Sequence, residues 1–206
     1  MFKKILIALL ILAFLPATIN AQWISLDSKS TSNTPPKVSI LSDDNNSTVI
    51  KVEISGFDLS RFSSDGKSFH SADLLTDIFT TKPGYPELPH IAKVLAIPDN
   101  ASISVEVLET SKVQTFKNIH IQPARESWIE GEAETSYDEN TNAYKSSAIF
   151  PEEYASIEKP SVFRDFRIAR LSVFPIRYLA SKNEIQAISS ITIQEDTPFR
   201  YIYSIN

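Results

Sequence analysis

Short runs of alternating apolar and polar residues recur along this chain and leave little sequence for helices. In residues 48–55, Ile50, Val52 and Ile54 alternate with polar side chains, and residues 102–108 alternate in the same way. A period of two places apolar side chains on one face of a β-strand. Because such strands recur at roughly eight-to-twelve-residue spacing with Pro, Asn and Asp between them, the chain is predicted to be all-β, a two-sheet antiparallel β-sandwich (jelly-roll-like) with little helix.

Further strands are expected, and one of them has an irregular apolar pattern. They are predicted at residues 37–41, 91–97, 113–116, 119–122, 163–178 and 184–195. Within residues 163–178 the apolar positions change parity, which predicts a β-bulge near Ala169 and Arg170. Residues 56–71 are rich in turn-forming residues, and residues 71–79 fit either a helical turn or a covering loop.

The N-terminus has the features of a secretory signal peptide over residues 1–21. Lys3 and Lys4 precede an apolar run of 11 residues, and a short tail ends at Ala21. The run is shorter than the roughly 20 residues that span a bilayer, and no later segment is long enough either. The mature chain is therefore expected to be secreted or periplasmic, with no membrane partner after signal cleavage.

The remaining chain divides into three predicted parts. Residues 22–36 are rich in Ser, Thr, Asn and Pro and are expected to form a disordered leader. Residues 37–196 would form the sandwich, interrupted by a long loop at residues 123–150. Residues 197–206 would be the start of a linker or a truncated end.

Charge and cysteine content exclude several classes of function. The full chain carries a net charge of −5, and loss of the two signal lysines leaves 18 Lys and Arg against 25 Asp and Glu, or −7. An acidic balance argues against a nucleic-acid partner, which requires a clustered basic face. The chain has no cysteine, so it has neither disulfides nor a thiolate nucleophile or metal ligand.

Candidate catalytic or metal-binding groups form no recognisable pattern. His70, His90 and His120 match no metal-ligand spacing and are expected to be surface histidines. The carboxylates of the long loop favour a solvated segment over a calcium site, since they lack the order of a calcium-binding loop. They are Glu126, Glu130, Glu132, Glu134, Asp138 and Glu139. No Gly-x-Ser-x-Gly elbow is present, so no enzyme activity, cofactor or metal is predicted.

The loop at residues 123–150 is unusual for its length. About 27 residues without clear structure inside a compact domain indicate either function or disorder. Trp128 and Ile129 supply an apolar anchor near the start of the loop. Trp128 could contact a partner or cover the edge of the sandwich, and the sequence supports both readings equally.

Several short motifs occur in an order that resembles one known family. They are Gly84-x-Pro86-x-Leu88-Pro89, Leu95-Ala96-Ile97-Pro98, Ile121-Gln122-Pro123, Phe150-Pro151, Phe163-Arg164-Asp165-Phe166-Arg167 and Phe174-Pro175-Ile176-Arg177-Tyr178. In this order and spacing, residues 82–194 resemble the N-terminal prodomain of gingipain-type cysteine peptidases. The resemblance implies a non-catalytic sandwich that binds beside the active site of its peptidase, in cis within a precursor or in trans, and inhibits or chaperones it.

The resemblance also implies that a prodomain loop sends a basic side chain into the specificity pocket of the enzyme. The corresponding loop here is residues 123–150, in which Arg125 and Lys145 are the basic residues. Alignment from residues 121–123 places the inhibitory position near Glu130, which is acidic. Either Arg125 takes the role after a shift, or the cognate pocket is not acidic, or this domain inhibits differently. Arg125, Trp128, Glu130 and Lys145 are the candidate site residues.

A second class of function remains open from the sequence. A secreted β-sandwich could serve as an adhesion or ligand-binding module without a peptidase partner. That function would require an exposed aromatic platform on one sheet face, for which Tyr178, Tyr201 and Tyr203 are the candidates.

Overall fold

The protein is described by a computed structural model that covers residues 21–44, 47–99 and 102–196 together with the backbone of residues 201–203. Most elements in these ranges are strands, which confirms the all-β prediction. The strands are β1 (Ala21–Ser25), β2 (Lys37–Asp43), β3 (Thr48–Glu53), β4 (Gly56–Ser64), β5 (Lys67–Asp73), β6 (Ile91–Ile97), β7 (Val105–Thr110), β8 (Gln114–Lys117), β9 (Ala155–Ile157), β10 (Ser161–Phe163), β11 (Phe166–Val173), β12 (Ile176–Leu179), β13 (Glu184–Ala187), β14 (Ser190–Glu195) and β15 (Tyr201–Tyr203). A short helix, α1 (Thr141–Lys145), and a 3-10 turn (Ala180–Lys182) complete the described part.

The strands form four hydrogen-bonded sheets, whereas the sequence predicted two. Their orders are β1-β4-β5, β10-β11-β6-β15 with β9 also on β11, β12-β13-β8, and β2-β3-β14-β7, and all these pairings are antiparallel. The difference arises because a long apolar run of the sequence can be divided into two strands that belong to different sheets. Residues 184–195 are divided at Ile188 and Ser189, which bond to Pro175 and Ile54 instead of continuing one strand.

The four sheets share one hydrophobic core. Alternate residues of β3 and β14, among them Ile50, Val52, Ile191 and Ile193, are buried in it. Phe57 of β4 is fully buried as well, so sheets from all parts of the chain contribute. Each fully buried aliphatic side chain of this kind contributes about 1.5–3 kcal/mol through removal of apolar surface from water.

The predicted bulge near Ala169 and Arg170 is wrong. Strand β11 pairs with β6 from Arg167–Ile97 to Val173–Ile91 without a register shift. The parity of the apolar residues changes because the two ends of β11 have different surroundings. Its first residue lies at an exposed hairpin end, whereas its last three residues are all buried.

A hairpin was missed in the turn-rich residues 56–71. Strands β4 and β5 pair from Asp58–Asp73 to Ser64–Lys67, around Asp65 and Gly66, which both have positive φ, 49° and 75°. Positive φ at both central residues is the geometry that Asp-Gly favours in two-residue hairpin turns. Residues 71–79 contain the end of β5 followed by irregular chain, and residues 119–122 form only a single bridge, between His70 and Ile121.

The ends of the predicted domain also differ from expectation. Residues 22–36 were expected to be disordered, but β1 includes part of that segment and pairs with β4. Trp23 donates its indole N–H to the Ser30 carbonyl at 3.1 Å, which fixes the chain after β1. Strand β15 pairs with β6, so the sheet extends beyond residue 196. The predicted signal peptide lies outside the described residues, except for Ala21.

Candidate functional site

The long loop at residues 123–150 leaves the domain beside the Pro-rich run of residues 82–89. The Gly84 N–H donates to the Ala124 carbonyl at 2.8 Å, and the Asn140 N–H donates to the Gly84 carbonyl at 2.9 Å. Gly84 has φ +75°, and a Cβ at this position would lie 3.0 Å from the Asn140 Cβ. Glycine is therefore strongly favoured at this position, where the Pro-rich run hydrogen-bonds to both the outgoing and the returning part of the loop.

Arg125 connects the outgoing and returning parts of the loop through contacts within the loop itself. Its Nη1 lies 2.7 Å from Oε2 of Glu134, nine residues further along. Its guanidinium also stacks over the Trp128 ring at 4.4 Å and the Tyr137 ring at 4.9 Å. We call this arrangement the Arg125 clasp. Residues 126–134, which follow Arg125 and end at its partner Glu134, are called the loop tip.

The clasp is polar but largely covered on the arginine side. The Arg125 side chain is 22% exposed and that of Glu134 is 69% exposed. The Glu134 carboxylate accepts a hydrogen bond from the guanidinium and raises the pKa of Arg125 further. Since an exposed ion pair contributes at most about 1 kcal/mol, the role of the clasp is to fix the shape of the loop more than to stabilise the fold.

The loop tip presents apolar and acidic groups to solvent. Trp128 is 40% exposed and Ile129 is 71% exposed. A turn follows, in which the Glu132 N–H donates to the Ile129 carbonyl at 3.0 Å and Gly131 has φ +94°. Glu130 is exposed on this turn. The tip therefore combines an exposed aliphatic side chain with a high density of carboxylates.

The chain that returns from the tip is anchored to the sandwich by aromatic contacts. Tyr137 packs against Phe62 and Phe69 of the β4–β5 hairpin, with ring centroids 5.3 and 5.6 Å apart. Phe69 is fully buried and stacks on His120 at 5.5 Å. Since the hairpin is part of a three-stranded sheet, it gives the loop a rigid support.

Polar contacts anchor the next part of the loop. The two ring nitrogens of His120 lie 3.0 Å from Oε1 of Glu139 and 3.1 Å from Oδ1 of Asn183. The Asn140 side chain caps α1, and Tyr144 of this helix is buried, with its hydroxyl donating to the Ile121 carbonyl at 2.8 Å. The loop is thus tied to the domain at its base and along its return, while the tip projects.

The structure brings three of the four predicted site residues together. Arg125 and Trp128 are in contact, and Glu130 lies on the same loop tip. Lys145 is separate, because it ends α1 and lines a surface depression with His120 and Tyr144. Glu134, the partner of Arg125, was missed, since a pairing across nine loop residues has no periodic signal in the sequence.

The prediction that all three histidines lie at the surface is wrong for His90. Its side chain is buried against Phe174, with ring centroids 5.0 Å apart, and burial lowers its pKa to about 4. His70 is half-buried, and its Nδ1 accepts the His120 N–H at 3.1 Å. In the described ranges, no group of three or more His, Asp or Glu residues could hold a metal ion.

Two further surface properties bear on function. Tyr178 is fully buried, so it cannot belong to an aromatic platform of an adhesion module. The side chains of the other two candidates, Tyr201 and Tyr203, lie outside the described residues. Among the described aromatic rings, Phe163 and Phe166 at the β10–β11 hairpin are more than half exposed. No helix within the described residues has the length and apolarity needed to cross a membrane.

Comparison with known proteins identifies the family. The model of the Propeptide_C25 family matches residues 28–197. The chain belongs to the Propeptide_C25 family. It is a propeptide domain of the gingipain type, which confirms the resemblance carried by the short motifs.

The curated relatives of this propeptide domain are much longer proteins. Gingipain R1 of Porphyromonas gingivalis is 26% identical over 114 residues, which are 55% of this chain and 11% of the relative. Lys-gingipain HG66 of the same organism is 25% identical over 144 residues, which are 66% of this chain and 8% of the relative. The propeptide domain thus spans about a tenth of the length of these relatives.

Two solved structures share the fold of the propeptide domain. One is a complex of the pro- and mature domains of RgpB from P. gingivalis, with a TM-score of 0.70, 18% identity, and coverage of 78% of this chain and 84% of that chain. The other concerns the zymogenic latency of gingipain K from P. gingivalis, with a TM-score of 0.73, 20% identity, and coverage of 86% and 98%.

Proposed function

We propose that this propeptide domain is exported by its N-terminal signal peptide and binds and restrains a gingipain-like cysteine peptidase without catalysis of its own. The loop at residues 123–150 is the element that contacts the enzyme. The peptidase is supplied in cis by a precursor or in trans by a separate chain. Binding also assists folding of the enzyme, since the domain would cover the surface around its active site.

The observation that carries this proposal is the loop tip held out from a rigid domain. Tyr137 and Glu139 fix the return of the loop to the β4–β5 hairpin and to His120, and Arg125 connects its outgoing and returning parts. A segment that is already ordered before binding loses less conformational entropy on association. A projecting and preorganised loop is therefore suited to enter a cleft of another protein.

The relatives support the choice of partner. The matched proteins are gingipains, and one structural neighbour is a complex of a prodomain with its mature domain. The exposed acidic and apolar tip supplies both the charge and the apolar area that a specific contact needs.

The test replaces the loop tip, residues 126–134, by a short Gly/Ser turn. The replacement is confined to the tip because Ala124 and Tyr144, elsewhere in the loop, are buried. Increasing amounts of this propeptide domain without its signal peptide are added to a gingipain-type peptidase from the same organism, and the remaining rate of peptide hydrolysis is measured. Gingipain R1 and Lys-gingipain serve as further enzymes. The intact domain should inhibit at least one enzyme, and the tip-less variant should fold normally but lose inhibition.

Retained inhibition by a folded tip-less variant would show that another surface of the domain, and not the loop tip, carries the contact. Absence of inhibition by the intact domain with every gingipain-type enzyme would remove the restraining function. Circular dichroism and urea unfolding of both proteins serve as the folding control.

A further inference from the structure

We propose that Arg125 is an internal positioning residue, and that the group offered to the partner is the apolar and acidic loop tip at Ile129 and Glu130. The partner surface that fits it is an apolar pocket rimmed by basic side chains on the peptidase. This inference rests on the proposed function and specifies the chemistry of the contact.

The charge of Arg125 is already paired within the loop. Its guanidinium makes an ion pair with Glu134 at 2.7 Å and contacts the rings of both Trp128 and Tyr137. Insertion of this side chain into an acidic pocket would break all three contacts. The planar guanidinium also suits the stacked site better than an ammonium group would. Arg125 therefore shapes the loop and does not project from it.

The loop tip carries a strongly negative charge. Within residues 125–134 the only basic side chain is Arg125, and its charge is balanced by Glu134. The carboxylates of Glu126, Glu130 and Glu132 then leave three uncompensated negative charges on exposed residues. A complementary partner surface must be basic, since like charges brought together across an interface oppose binding.

The loop tip also has an exposed apolar side chain next to its carboxylates. Ile129 is 71% exposed and directly precedes Glu130, while the Trp128 ring beside it is held by Arg125. Interface contacts are dominated by a few apolar anchors that enter desolvated pockets within a polar rim. Ile129 is the anchor, and Glu130 and Glu132 form the acidic part of the rim.

The experiment measures the inhibition constant, Ki, of variants of this propeptide domain against the peptidase that the unaltered domain inhibits. Glu134→Ala should raise Ki about two- to fivefold, because an exposed ion pair of this strength is lost. Arg125→Ala should raise Ki about tenfold, since the ring contacts are lost as well, and the double variant should be no worse than Arg125→Ala. Arg164→Ala, at an exposed position of the β10–β11 hairpin outside the loop, is the matched control and should not change Ki.

Variants of the tip test the group that is offered. Ile129→Ala should raise Ki at least about tenfold, and Glu130→Lys should raise it further. Val162→Ala and Glu153→Lys, at exposed positions elsewhere, are the matched controls and should have no effect. The association rate of the intact domain should fall as salt is added, because opposite charges steer the encounter.

A loss of inhibition in Arg125→Ala together with unchanged or tighter inhibition by Glu134→Ala would overturn the inference, since it would identify Arg125 as the inserted side chain. Unchanged Ki values for Ile129→Ala and Glu130→Lys would overturn it as well.

A measurement without enzyme separates the clasp from the proposed function. In a Trp23→Phe background, the fluorescence of Trp128 reports the loop alone. Arg125→Ala and Glu134→Ala should both increase quenching of Trp128 by acrylamide, because both open the loop. If neither variant increases the quenching of Trp128, the clasp does not form, whether or not the domain inhibits a peptidase. If both variants increase it and no enzyme is inhibited, the clasp forms and only the proposed partner is wrong.

Discussion

At the scale of single residues, Tyr178 joins distant parts of the chain through one buried hydroxyl. The hydroxyl lies 2.9 Å from both the Ile119 carbonyl and Oδ1 of Asn183, and it accepts the Ile121 N–H at 3.4 Å. The side chain is fully buried, and burial raises the pKa of Tyr178 to about 12. The phenol thus stays neutral and keeps its proton for donation over the whole physiological range.

Removal of this hydroxyl should destabilise the domain. Tyr178→Phe would leave the Ile121 N–H without this buried partner, at a cost of about 1–3 kcal/mol in the free energy of unfolding. Urea unfolding followed by circular dichroism measures the effect. Tyr154→Phe, at a half-buried ring under Arg177, is the control and should change stability by less than about 0.5 kcal/mol. Equal stability of the two variants would contradict the role assigned to the Tyr178 hydroxyl.

Glu195 is a second residue whose burial should have a large effect on stability. It is fully buried, and neither carboxylate oxygen has a hydrogen-bond partner in the part of the chain that the structure describes. Burial, reinforced by the charge of Asp196, raises the pKa of Glu195 from 4.5 to about 8. The folded domain therefore binds a proton that the unfolded chain releases at lower pH.

This shift predicts a pH-dependent stability. Between pH 4.5 and 8 the unfolded chain is ionised at Glu195 while the folded domain is protonated, so the free energy of unfolding falls as pH rises. The slope is at most about 1.4 kcal/mol per pH unit. Glu195→Gln should remove this contribution, so that the variant matches wild type near pH 4.5 and is more stable by roughly 2–4 kcal/mol near pH 8.

Urea unfolding at pH 4.5, 6 and 8 measures this effect. Glu153→Gln, at an exposed position, serves as control and should leave the pH dependence of wild type unchanged. The explanation fails if Glu195→Gln and wild type differ by the same amount at all three pH values.

At the scale of elements, the contact between the Pro-rich run and the loop base, which consists of Ala124 and Asn140, depends on the absence of a side chain at Gly84. Gly84 and Gly66 have the same φ of +75°, but their surroundings differ. A Cβ at Gly84 would lie 3.0 Å from the backbone nitrogen of Asn140, whereas a Cβ at Gly66 would have no neighbour within 4 Å. The two glycines therefore separate backbone strain from steric contact.

Alanine at these two positions should have unequal effects. Gly66→Ala adds only left-handed strain and should lose about 1–2 kcal/mol of stability. Gly84→Ala adds the same strain and also pushes apart the Pro-rich run and the loop base, so its loss should be larger. Amide hydrogen exchange should become faster at Ala124 and Asn140 in Gly84→Ala alone. Similar exchange in both variants would mean that the close approach at Gly84 does not hold the loop.

At the scale of the whole molecule, the four sheets share a single core. Ile188 lies between β13 and β14, is fully buried, and belongs to the same cluster as Phe57 and Leu95 of two other sheets. A core that crosses all sheets leaves no sheet able to bury its apolar face alone. The domain should therefore unfold in one cooperative step.

Ile188→Ala tests this cooperativity. The loss should be about 2–5 kcal/mol, and it should shift the unfolding midpoints of different probes together. The probes are far-ultraviolet circular dichroism for all sheets and the fluorescence of Trp23, in a Trp128→Phe background, for the β1-β4-β5 sheet. Ile129→Ala, which removes an exposed isoleucine, is the control and should change stability by less than about 0.5 kcal/mol. Separate midpoints would show that one sheet unfolds independently.

The sequence by itself determined the fold class and the position of much of the core. The alternation of Ile50, Val52 and Ile54 predicts a half-buried strand, and β3 buries this face. The order of the short motifs predicted the prodomain family. These properties are local, because the period of two is set by the strand backbone and each motif is a run of neighbouring residues.

Only the tertiary structure decided how the strands are shared among four sheets and what the loop presents. Arg125 has no evident partner in the sequence, but the path of the loop brings Glu134 and Tyr137 against it. His90 and Glu195 are polar in the sequence and buried in the fold. Burial and pairing depend on which distant segments the chain brings together, so no local pattern of residues encodes them.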